Sequence, residues 1–463
     1  MEEIDKQTIN QQSLTPRSVP LHLLRLALPM IISMISRTVM SFVDFVMVSR
    51  LGTEAQAAVL PAGITLYCVS GFGIGLMTAV NTFVSQSLGR QRLSDCSAYA
   101  WQGLYLSLLA GAGLMPFWFF VPSFFTWVGH AESVRQMEII YTQIGILSVG
   151  PAIVANGLSN FFNGIHRPGV STIAAVSGNV FNLVANYALI FGHFGFQPMG
   201  IAGAAWATLA ASLLQMGSLF VFMMLPRTNS IYSCWQTWRP DVRRIGALIR
   251  VGLPTAMQYV VDIGAWTIFI LFLVGRFGTV HLAASNLCFK LLELSFMPTV
   301  GLGVATTSAV GNAIGQGRFD LARAIVRWSI LFAGVYMGLI GTMYLIIPYH
   351  LIQPLTSDPQ VTSIARIVLI FCAIFQVFDA FGIVYSSALR GAGDTFWPAV
   401  LSASYALTVF LGAGFAVAIL VPQWQSFGPW AAGTAYIAFY GASMFARFSL
   451  GRWEHVKLEP EPQ

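Results

Sequence analysis

The sequence predicts an all-α integral membrane protein, with twelve transmembrane helices in two parallel-repeat six-helix bundles (6+6) around a central cleft. Three observations lead there. Of the 463 residues 56% are hydrophobic and only 9% charged, where a soluble domain carries about a quarter charged residues. Apolar runs long enough to cross a bilayer, about 20 residues each, recur along the whole chain. The second half also repeats phrases of the first in the same order.

The runs fall at 26–49, 57–84, 97–121, 138–162, 170–192, 201–225, 252–275, 282–311, 327–348, 364–388, 396–421 and 428–447. The polar segment 1–25 carries Glu2, Glu3 and Asp5 and lacks the basic start of a cleavable signal peptide, so the first run reads as a retained span. Its end, Pro20 to Leu26, reads as a short amphipathic piece along the membrane surface. The longest polar break is 226–251, with Asn229, Ser230, Pro240, Arg227, Arg239, Arg243 and Arg244. It separates an N-lobe of helices 1–6 (26–225) from a C-lobe of helices 7–12 (252–447), which a tail at 448–463 follows.

The net charge of +6 would suggest nucleic acid in a soluble protein, but here the basic residues alternate between loops. Lys6, Arg17, Arg90, Arg92, Arg167, the arginines of 226–251, Arg390 and Lys457 fall on one side; Arg50, Arg135, Arg276 and Arg366 fall on or near the other. This positive-inside pattern puts both termini in the cytoplasm. Nucleic acid is not an expected partner. Five scattered cysteines give no disulfide framework or metal motif, and the seven histidines read as solvated loop residues. Walker-type loops, GxSxG settings and paired metal-ligand spacings are missing, so no enzyme is expected.

The repeat is legible residue by residue. Ala27-Leu28-Pro29 opens the first span and Gly252-Leu253-Pro254 the seventh; they end in Arg50-Leu51-Gly52-Thr53 and Arg276-Phe277-Gly278-Thr279. Ile74-Gly75-Leu76-Met77-Thr78-Ala79 aligns without a gap against Val300-Gly301-Leu302-Gly303-Val304-Ala305, and both spans reach a glycine, Gly89 or Gly315. Six spans per half make the repeats parallel, which places a substrate path between them near the midplane.

Ionisable groups inside spans are costly and point to function. Asp262 follows Gln258 by one turn and Asp379 follows Gln376 by three residues, with Tyr259, Trp266, Phe375 and Phe378 as aromatic walls. A carboxylate among aromatics suits an amphipathic organic cation, and a carboxyl withdrawn from water suits proton exchange. In the first span Ser33, Arg37, Ser41 and Asp44 share a face, as do Asn179, Asn182 and Asn186 in the fifth. A carboxylate ringed by amides and hydroxyls suits a hard cation or a proton; an interhelical hydrogen-bond ladder is the alternative. Lys290 and Glu293 read as an internal salt pair.

These residues resemble a family. The 6+6 repeat, Val43-Asp44-Phe45-Val46-Met47-Val48 before Arg50-Leu51-Gly52, Met199-Gly200-Ile201-Ala202-Gly203-Ala204-Ala205-Trp206-Ala207-Thr208 and Leu389-Arg390-Gly391-Ala392-Gly393-Asp394-Thr395 together are similar to multidrug and toxic compound extrusion (MATE) transporters. The likeness covers nearly the whole chain and is greatest to the NorM branch, which carries acids in the seventh and tenth spans. The chain departs from that branch at Asp262, where Glu is usual, and from some relatives at Asn186, where they carry Asp.

The resemblance implies export of cationic amphipathic compounds coupled to H⁺ or Na⁺, without a cofactor, by a monomer in a bacterial cytoplasmic membrane. It also implies an N-lobe cation site of Asp44, Asn182, Asn186, Thr208 and the backbone near Ala204, which could hold Na⁺. Coupling in the C-lobe would fall to Asp262 and Asp379, and substrate contacts to Asp262, Asp379, Gln258, Tyr259, Trp266, Gln376 and Phe375. Arg37, at the place in the first span that Asp262 holds in the seventh, is expected either to gate the cycle by pairing with an acid or to snorkel to an interface. A lipid-linked oligosaccharide flippase is the alternative function.

Overall fold

The computed structural model describes residues 18–456 and 458. Glu2, Glu3, Asp5, Lys6, Arg17 and Lys457 lie outside the described residues. The first half forms helices α1 (Val19–Ser49), α2 (Thr53–Gly89), α3 (Leu93–Leu114), α4 (Phe117–Val128), α5 (Glu132–Gly164), α6 (Pro168–Phe191), α7 (Ile201–Met224) and α8 (Pro226–Tyr232). The second forms α9 (Val242–Ile268), α10 (Thr279–Gly315), α11 (Phe319–Ile346), α12 (Pro348–Ile352), α13 (Pro359–Ala392), α14 (Phe396–Tyr405), α15 (Gly414–Leu420) and α16 (Phe427–Ser449).

Among the described residues ten helical stretches are long and apolar enough to cross a membrane, and α3 with α4, bent by 44° at Met115–Pro116, make an eleventh if they form one span. The expected twelfth, α16, is helical where the sequence places it. It packs along α13.

Three boundaries differ from expectation. Pro20 to Leu26 is no separate surface piece; it is the start of α1, and its Leu23 and Leu26 lie with Val19, Ala27 and Met30 in a hydrophobic core with residues of α10, α11 and α13. The seventh span begins at Val242, inside the expected loop, because Asp241 Oδ1 accepts the backbone N–H groups of Arg243 and Arg244 (2.9 and 3.3 Å) and so caps α9. His281 is likewise no loop residue: it is buried in α10, with Nδ1 2.7 Å from Ser426 Oγ.

The chain divides into two compact units, Ile32–Ala256 and residues up to Ile31 together with Met257 onwards. It therefore changes unit inside α1 and inside α9, two residues after Pro29 and Pro254 respectively, and not in the polar loop. Within the first unit α5 is central, packed along α2, α3 and α7; within the second α13 is central, packed along α10, α11 and α16.

The repeat is carried into the backbone. Both α2 and α10 are 37 residues long and follow a glycine at positive φ, Gly52 (120°) and Gly278 (96°), a conformation that L side chains avoid. The aligned glycines Gly75 and Gly301 do matching jobs. A Cβ on Gly75 would lie 2.7 Å from Ala256 Cα, and one on Gly301 2.9 Å from Ile31 Cα, so each lets α2 or α10 touch the backbone of a half-helix.

We expect Gly75→Ala and Gly301→Ala each to cost about 1–3 kcal/mol, the usual penalty of overpacking. Gly113→Ala, with open space around it, should not destabilise. Thermal unfolding of the purified variants in detergent checks this, and equal midpoints for all three would contradict it.

Candidate functional site

In the second unit α9 presents Gln258, Tyr259, Asp262 and Trp266 along about two turns. Asp262 Oδ1 accepts the hydroxyl of Ser402 in α14 (2.7 Å) and of Tyr436 in α16 (3.1 Å), and these two hydroxyls lie 3.2 Å apart. Gln258, one turn earlier, is buried and donates to the Tyr440 hydroxyl (3.0 Å). Asp379, on the central helix α13, is 9% exposed and lies within the electrostatic reach of Asp262. It accepts no hydrogen bond among the described residues, and neither acid forms an ion pair with them.

The aromatic wall is broader than the sequence indicated. Trp266 meets Phe410 edge-on at 4.6 Å, and Phe410 stacks on Tyr436 at 5.4 Å. Tyr259 is half-buried. Phe375 is turned into the hydrophobic core, and Gln376 is fully buried, donating to Ser295 Oγ at 2.7 Å. These two of the expected substrate contacts therefore hold the helices around the site. Ser402, Tyr436 and Tyr440 were not expected, and neither was Arg390, whose charge reaches Asp262.

In the first unit α6 ties itself to α1 with two amides. Asn179 donates to Ser36 Oγ (2.8 Å), and Asn186 Nδ2 donates both to Asp44 Oδ1 and to Asn182 Oδ1 (3.0 Å to the latter). The structure thus brings together three of the four expected cation-site residues. Thr208 Oγ1 is spent on its own helix, donating to Ala204 O at 3.0 Å. Asn186 Oδ1 is buried with no hydrogen-bond partner, which leaves one enclosed oxygen beside the Asp44 carboxylate, a donor set that fits a small hard cation or a protonated acid. Arg37 is exposed and forms no ion pair within its unit. Lys290 and Glu293 pair at 3.0 Å on the surface of α10.

The protein-family model MatE matches residues 29–188 and 254–421, one block in each half of the chain. The chain belongs to the MatE family. Curated relatives named "Probable multidrug resistance protein NorM" are 30% identical in Brucella suis biovar 1 (strain 1330), over 82% of both chains, and in Mesorhizobium japonicum, over 93% of this chain and 92% of the relative. Membership of MatE also accounts for the fold. A crystallised eukaryotic MATE transporter superposes with a TM-score of 0.85 at 18% identity, covering 95% of this chain and 97% of that one. A transporter of the MOP superfamily from Pyrococcus furiosus does so with 0.84 at 19%, over the same shares.

In this MatE protein Tyr436 can be probed without disturbing its stack on Phe410. Tyr436→Phe should lose about 1 kcal/mol, the usual worth of such a hydrogen bond, and lose close to nothing when Asp262 is already Ala. A double-mutant cycle in mixed-micelle unfolding measures the coupling; equal losses in both backgrounds would show that the hydroxyl does not serve Asp262.

Proposed function

We propose that this multi-pass MatE protein is a secondary exporter of organic compounds, mainly cationic and amphipathic, by antiport against H⁺ or Na⁺. The observation that carries the reading is the C-terminal carboxylate pair. Asp262 and Asp379 are enclosed within each other's field, unneutralised by an ion pair, and Asp262 stands beside the Trp266–Phe410–Tyr436 wall. Two like charges in such a place favour uptake of a proton or cation, and the aromatic faces favour an organic one.

Proton or Na⁺ and substrate then compete for the same carboxylates. Asp262 is held in place by Ser402 and Tyr436 through Oδ1, which positions its carboxylate to meet the incoming cation. When the pair is protonated or filled by Na⁺, its attraction for an organic cation falls and the cargo is released. Asp44, Asn182 and Asn186 offer a second ion site in the other unit, and Arg37 is the residue we assign to gating. No cofactor and no catalytic step enter this cycle. We place the protein as a monomer in a bacterial cytoplasmic membrane with both termini inside, which fits the arginine-rich loops.

A flippase cavity for a pyrophosphate lipid calls for basic lining. Inside the spans here Arg37 faces Asp44, Asp262 and Asp379 in number, since Lys290 and Glu293 cancel. The Pyrococcus furiosus transporter, described by its binding pocket of reverse polarity, illustrates that this fold alone does not choose the cargo.

Proteoliposomes loaded with a fluorescent organic cation should lose it when a proton or a Na⁺ gradient is imposed. Asp262→Asn and Asp379→Asn should each reduce the initial rate at least tenfold, as loss of a charge-assisted contact of about 1.5–3 kcal/mol implies. Undiminished efflux by both variants would overturn the assignment.

A further inference from the structure

A buried acid in the first unit takes no part in the cycle described above. Glu138 sits on the central helix α5 with none of its side chain exposed. His130, in the turn after α4 and 41% exposed, places Nδ1 2.8 Å from Glu138 Oε1. The other carboxyl oxygen, Oε2, is buried without a hydrogen-bond partner. So is Oγ1 of Thr142, one turn further along the same face of α5. Two enclosed polar atoms so arranged are a setting for ordered water. The neighbouring Tyr141 is within electrostatic reach of Asp44.

We propose that Glu138 is a proton-uptake carboxyl at the end of the first unit opposite the arginine-rich loops, fed by His130 and leading towards Asp44. His130 takes a proton from water at its exposed ring edge. The imidazolium passes its Nδ1 proton to Glu138 Oε1, leaving neutral imidazole and neutral acid. The neutral carboxyl then turns its hydroxyl toward Thr142 Oγ1, where water takes the proton onward past Tyr141 and leaves the carboxylate ready for the next proton from His130.

The other charged and titratable groups at this end do not compete for the role. Glu132 and Arg135 pair with each other on the first turn of α5. Glu54 of α2 accepts the Ser133 hydroxyl (2.8 Å). Arg50 is exposed at the end of α1, and Tyr187 of α6 stacks on His193 (4.2 Å). Helices α4 and α7 have no ionisable side chains, and those of α3 are Asp95, which pairs with Arg244 (2.7 Å), Cys96, Tyr99 and Tyr105.

The route towards Asp44 rests on the antiport reading; the protonation of Glu138 does not, and the test separates them. Infrared difference spectra of the purified full chain between acid and alkaline pH should contain a protonated-carboxyl stretch that Glu138→Gln removes and His130→Gln displaces along the pH axis. Glu138→Gln should bind ethidium with wild-type affinity. In proteoliposomes it should lose the acceleration of ethidium efflux that acidifying the outside produces in the wild type. A carboxyl band intact in Glu138→Gln, or an efflux pH profile coincident with the wild type, overturns the proposal. Should Glu138→Gln not fold, His130→Gln carries the test, and a band and profile unmoved by it overturn the proposal equally. Wild-type vesicles without ethidium efflux under either gradient would count against the exporter reading and leave the infrared result to decide for Glu138.

Discussion

Within a bilayer a polar side chain can be satisfied only by other polar groups of the protein or by water that enters with it, and the acids of this protein are placed by that constraint. Each unit is built around one long helix, α5 or α13, flanked by three others. An acid on the packed face of the central helix is enclosed by its neighbours, whereas Glu132 on the first turn of α5 stays exposed. Glu138 and Asp379 are both in this position, and Glu138 Oε2 is enclosed there without a hydrogen-bond partner. Asp44 and Asp262 lie on the helices that change unit, and each is held through one oxygen by donors from elsewhere in its own unit. Satisfying an acid on one side only keeps it positioned while it remains able to take up a proton or cation.

Much of this was legible in the sequence. Span lengths and the parallel repeat follow from hydropathy and from phrases that recur in order, and the matching glycines before and within α2 and α10 carry the repeat into the backbone. That Asn182 and Asn186 share a face of α6 was readable from their spacing, whereas Asp44 on α1 was joined to them only by the family resemblance.

The rest escaped for physical reasons. Ser402 and Tyr436 are drawn from helices far along the chain from Asp262, and a serine or tyrosine in an apolar run gives no sign of which acid it serves. Glu138 stands at the first residue of the expected fourth span, where an acid passes for an interfacial one. It is buried because the turn after α4 brings His130 over it, a contact with no local pattern. The start of α9 was hidden because Pro240 and Asp241 read as loop residues, although Asp241 is the cap from which the helix begins.

The exporter reading turns on one claim, that the organic cation and the coupling ion contend for the same C-terminal carboxylates. Equilibrium binding of a fluorescent organic cation to the purified protein, titrated over pH and Na⁺ concentration, tests it most directly. The account predicts that affinity falls as pH is lowered or as Na⁺ is raised, and that Asp262→Asn with Asp379→Asn removes the dependence. Affinity that is indifferent to both ions in the wild-type protein would contradict it.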